Sequence, residues 1–145
     1  MIKQHYQSII VQTVCSLLIP FIQLFAIYVI MHGHYGPGGG FQGGVLLAVS
    51  VILQRLYLEK AVSYRKFPPT LAIVAATVGM LIFGLSGIIP LITGGSFLDY
   101  SYLGIPGLSG AELRSLGILI VEIGRGLAVF GTLVLIYDNL AGDRW

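Results

Sequence analysis

The chain has 145 residues, 56% of them hydrophobic and 10% charged, with a mean hydropathy of +0.90. That composition excludes an ordinary soluble domain and predicts an all-α, polytopic membrane protein. A net charge of +2 is too small to support nucleic-acid binding. Cys15 is the single cysteine and cannot form an internal disulfide.

Hydropathy divides residues 1–145, read as a single membrane domain, into four expected spans at about 9–31, 40–58, 70–89 and 116–137. The first is too long for the apolar core of a signal peptide and reads as a retained helix. Its Gln12, Ser16 and Gln23 share one helical face, which should meet protein, because unpaired polar groups in hydrocarbon are costly. Pro20 lies in the same span and is expected to kink it.

Between the first two spans lies GHYGPGGGFQGG, Gly33 to Gly44, in which seven of twelve residues are glycine. Such a run permits tight turning and close backbone approach. Pro37 suits position i+1 of a type II turn and Gly38 the following positive-φ position, with Gly39 and Gly40 opening the second helix without bulk. No strand precedes the loop, and it has no phosphate-cradle pattern. His32 and His34 flank Gly33; two imidazoles without a third ligand make a poor metal site, and no metal or bound cofactor is assigned.

Gly40, Gly44 and Ala48 recur every four residues along the second span and form a close-packing face. Arg55 is expected to snorkel from its last turn. A polar connection from Glu59 to Pro69 leads to a third span that ends at Pro90, followed by a long loop from Leu91 to Glu112. The fourth span carries a second small-residue face, Gly117, Gly124 and Gly131 at heptad spacing. These faces, with small residues on the third span, offer more packing surface than an isolated four-helix monomer requires, so neighbouring subunits are expected.

Positive charge sets the expected orientation. Lys3, Arg55, Lys60, Arg65, Lys66 and Arg144 fall on one side and only Arg114 on the other, which places both termini in the cytoplasm.

Glu122 and Arg125 are the charged residues deep in a span, three residues apart and able to pair, with Thr132 extending the polar stripe. One reading is a hydrated path along which Glu122 exchanges a proton. The other, which the residues favour, is a structural ion pair at a subunit contact, since a permanent cation one turn away holds a carboxylate ionised. No nucleophile–base or paired-carboxylate arrangement is visible, so no independent enzyme is read.

The run Gly33, His34, Pro37, Gly38, Gly39, Gly40, Phe41, Gly43 and Gly44, followed by an apolar helix, resembles the signature of the MnhB family. That family supplies the MnhB (MrpB) component of multisubunit Mrp-type Na+/H+ antiporters, with related components in archaeal membrane-bound hydrogenase and sulfur-reductase complexes. The resemblance implies a small cell-membrane subunit of a bacterium or archaeon, with other membrane subunits, and in the redox relatives a hydrogenase or sulfur-reductase arm, as partners. It also implies Na+ and H+ as transported ions and an embedded acid in the last helix, matched by position by Glu122. The family's acid is commonly Asp after Phe, whereas Val121 precedes Glu122 here, a departure toward the redox-coupled relatives. The alternative is a structural adaptor that packs the module and conducts nothing.

Overall fold

The computed structural model describes residues 8–33, 35–105, 107 and 110–141. Among these there is no strand, and four helices are long and apolar enough to cross a membrane: α1 (Ile9–His32), α2 (Gly40–Tyr57), α4 (Pro69–Ile92) and α5 (Gly110–Ala141). A seven-residue helix α3 (Lys60–Lys66) fills the connection between α2 and α4. At about 1.5 Å per residue, the 24 residues of α1 rise roughly 36 Å, enough to cross a hydrocarbon core with some tilt.

Helix boundaries follow local chemistry. Pro68 caps α4 and Pro69 occupies its first turn, where a missing N–H costs nothing. Two boundaries differ from the sequence expectation. α4 continues past Pro90 to Ile92, because a proline in the last turn removes only one hydrogen bond, and the Thr93 amide still donates to Ile89. α5 starts at Gly110, with Glu112 in its first turn where a carboxylate complements the helix dipole. The expected 22-residue loop is therefore shorter. It is ordered by a 3-10 turn at Tyr100–Tyr102, where Asp99 accepts from the Ser101 amide at 3.2 Å.

α5 is the spine. α2 and α4 both pack along it, and α1 packs mainly on α2. The contacts are built from very small residues, as expected where lipid offers no hydrophobic drive and helices associate by close van der Waals approach. A β-carbon added at Gly44 would lie 2.5 Å from the Gly126 carbonyl oxygen, and one at Gly131 would lie 2.5 Å from the Ala76 amide nitrogen. Ala48, Val51, Ala72 and Val134 form the buried core, with Phe67 and Phe130 meeting edge to face at 5.4 Å beside it. The outer surfaces of α1 and α4 are apolar and open, with Leu24 68% and Met80 64% exposed.

The small-residue faces read from the sequence thus meet inside the chain. Gly40, Gly44 and Ala48 turn toward α5, while Gly124 and Gly131 turn toward α4. The faces themselves do not call for neighbouring subunits: α2 and α4 packing on α5, with the Tyr100 loop at Gly117, occupy them within the chain. Of the polar face on α1, Gln23 donates to Ser50 of α2 at 3.3 Å, whereas Gln12 and Ser16 are exposed.

Candidate ion-path site

Glu122 stands on α5 one turn before the point where Gly126 lets α2 approach. There it meets the glycine loop. A β-carbon at Gly33 would lie 2.5 Å from Glu122 Oε1 and 2.7 Å from Oε2, and one at Gly39 would lie 2.8 Å from Oε1. One at Gly40 would collide with the Glu122 carbonyl oxygen. The loop backbone is therefore wrapped against both the carboxylate and the main chain of residue 122, an approach that only glycine permits. Gly38 (φ 147°) and Gly39 (φ 113°) turn the chain in the region that disfavours side chains, and the Gly39 amide donates to Val29 at 3.3 Å, tying the loop to the end of α1.

Glu122 Oε2 is buried and has no hydrogen-bond partner among the described residues. A desolvated carboxylate oxygen is expensive to leave unsatisfied. Such an atom marks a place for a proton, a cation or a water.

The expected Glu122–Arg125 pair does not form. Among the described residues Arg125 makes no ion pair; its guanidinium lies over the Phe83 ring of α4, 5.6 Å from the centroid, and the side chain is exposed. The physical reason is the division of α5 between two neighbours. Glu122 is turned toward the loop at the start of α2, and Arg125, about 60° around the helix, is turned toward α4. Thr132 is likewise exposed.

A tyrosine that no sequence motif marks closes the neighbourhood. A β-carbon at Gly117 would lie 2.7 Å from Cβ and Cγ of Tyr100, so this ring rests on the α5 backbone. Burial pushes the Tyr100 phenol above its ordinary value, with Arg125 acting to lower it and Glu122 to raise it further. The loop is pinned here by Arg114 Nε, which donates to Ser101 Oγ at 2.9 Å.

Comparison with known proteins places this arrangement. Residues 10–135 match the family described as a domain related to the MnhB subunit of the Na+/H+ antiporter. The chain belongs to the MnhB family. It is 32% identical over 138 residues to a Na(+)/H(+) antiporter subunit of Bacillus subtilis, covering 90% of this chain and 96% of the relative. It is also 32% identical over 139 residues to an antiporter subunit mnhB2 of Staphylococcus haemolyticus, covering 94% of this chain and 96% of the relative.

In this MnhB-family chain the loop glycines and Glu122 form one place. Gly33, Gly39 and Gly40 touch Glu122; Gly43 packs on Ile30 and Ala26 of α1; Gly44 packs on Gly126 of α5. Phe41 is 58% exposed. His32 stacks on Tyr28 at a centroid distance of 5.2 Å and meets Tyr35 at a tilt, 5.8 Å between centroids. His34 lies outside the described residues. Gly117 serves the Tyr100 loop rather than a helix–helix contact.

A second polar centre, at the opposite end of the MnhB-family fold, corrects the snorkelling assigned to Arg55. Its side chain is 4% exposed and pairs with Asp138, 8% exposed. Nη2 donates to Oδ2 at 2.9 Å; Nε lies 2.8 Å from Oδ1, an ionic contact not aligned as a hydrogen bond. Nη1 donates to Ser63 at 3.3 Å, and the Tyr64 ring covers the guanidinium at 4.2 Å. A signal existed in the sequence: Arg55 falls seven residues after Ala48, and Asp138 seven after Gly131, so each continues a small-residue face.

Proposed function

We propose that this chain supplies the protonatable carboxylate of a multisubunit Na+/H+ antiporter, with Glu122 taking up and releasing a proton, or alternating it with Na+, beside the glycine loop. The observation that carries this reading is the buried Oε2 of Glu122, unpartnered among the described residues and in no ion pair with Arg125. It supports the proton-carrying reading over the structural-pair reading, which needs the two side chains to meet. Backbone dipoles of a glycine loop add no competing charge beside the carboxylate.

The positive side chains Lys60, Arg65 and Lys66 of the α2–α4 connection support an orientation in the cell membrane with both termini cytoplasmic, which puts the glycine loop at the outer end. The names of the relatives support an antiporter over a redox-driven module; copurification with iron–sulfur chains would reverse that choice. The deciding experiment replaces Glu122 by Gln and by Ala in the assembled complex and measures sodium-dependent proton flux in vesicles. At least a tenfold loss with assembly intact is expected. Unchanged flux with assembly intact would leave the chain as a structural adaptor.

A further inference from the structure

We infer that the face of α5 bearing Arg125 is the seat of a transmembrane helix from another subunit, and that this helix presents an aspartate or glutamate to the guanidinium. Three observations converge on it. Arg125 is central in its helix, fifteen residues after Gly110 and sixteen before Ala141, yet it is exposed, and among the described residues it forms no ion pair, its guanidinium lying over the Phe83 ring within electrostatic reach of Tyr100. At about 1.5 Å per residue either helix end is over 20 Å away, and half of a hydrocarbon core is about 15 Å, so a lipid phosphate is out of reach for an arginine side chain. A guanidinium left in hydrocarbon is among the costliest arrangements a membrane protein can hold, and a π face does not neutralise it.

The shape of the face selects a helix as the occupant. Ala111, Ile118, Arg125, Thr132 and Asn139 recur every seven residues, and all are exposed. One position earlier, Gly117, Gly124 and Gly131 recur at the same interval, and all are buried. α5 thus carries two parallel seams: one is used by helices of this chain and by the Tyr100 loop, and the other is open along the whole length of α5. One turn and more beyond Arg125, Thr132 of the open seam lines a groove of about 510 Å3 together with Phe41 and Val45 of α2 and Met80 of α4. A seven-residue period is the spacing at which one helix accepts another along its length. The charge of Arg125 fixes the partner's chemistry, because a carboxylate brought in from outside neutralises a cation that forms no ion pair among the described residues.

The test uses the complete complex in native membranes. A photo-crosslinking benzoyl-phenylalanine in place of Thr132, with Arg125 intact, should capture a different membrane subunit. The captured peptide should lie in a transmembrane segment with Asp or Glu within one turn of the Arg125 level. Arg125→Leu should lower the yield at least tenfold while Arg125→Lys keeps it. Arg125→Glu should recover the yield only when the mapped acid is changed to Arg. Capture of lipid alone, of a second copy of this chain, or of a segment without an acid overturns the inference, as does an undiminished yield in Arg125→Leu.

Discussion

The carboxylate of Glu122 and the backbone of Gly33 occupy adjoining space, so close that a single methyl group at residue 33 would stand 2.5 Å from Oε1. Gly33→Ala must therefore either displace the carboxylate or open the loop. Sodium-dependent proton flux is expected to fall at least tenfold with the subunit still assembled. Gly84→Ala is the matched control, since nothing lies within 4 Å of its added carbon, and it should transport normally. Equal activity of the two variants would separate the loop from the function of Glu122.

The α2–α5 contact makes a stability prediction. Gly44→Ala sets a methyl against the Gly126 carbonyl and the Val129 side chain, and overpacking of this kind costs about 1–3 kcal/mol. The melting temperature in detergent should drop. Gly84→Ala should hold or slightly raise it, because alanine is the better helix former. A Gly44→Ala protein as stable as the parent would mean that the two helices separate easily.

The buried Arg55–Asp138 pair is expected to behave asymmetrically. Arg55→Leu alone strands a buried carboxylate and should cost about 3–5 kcal/mol. Changing both residues to apolar ones removes the stranded charge and should recover most of that loss. Chemical denaturation of the parent and these two variants reads this directly; a double variant no more stable than Arg55→Leu alone would contradict the pairing.

Tyr100 gives a pH prediction. Its phenol is raised above the ordinary 10.0, so the neutral form is favoured where the ring rests on α5. The sign follows: the stabilisation is complete below pH 10, and it is lost as pH rises through the higher folded value. The difference in phenolate absorbance between the parent and Tyr100→Phe should therefore show a midpoint above pH 10. A midpoint at or below that value would place this side chain in water.

Much of the architecture is legible in the sequence, because hydropathy and proline positions encode spans directly. The fourth helix runs six residues earlier than hydropathy suggests, since Gly110 to Ser115 is polar enough to resemble a loop while its Glu112 suits a helix start. The site is less legible. Helical periodicity assigns Glu122, Arg125, Arg55 and Asp138 to faces, but it does not say which helix stands opposite each face. Spacing alone thus pairs Glu122 with Arg125, whereas packing sends one to the glycine loop and the other to Phe83. Arg55 reads as a surface charge because its partner is 83 residues away.

The contact between the Gly40 backbone and the Glu122 carbonyl has a consequence for motion. Main chain rests on main chain there and again at Gly44 and Gly126, so α2 cannot roll or slide along α5 without separating from it. Shear between packed helices needs side chains that exchange neighbours, and at these points there are none. The backbone that carries Glu122 is thus held at one depth against the glycine loop.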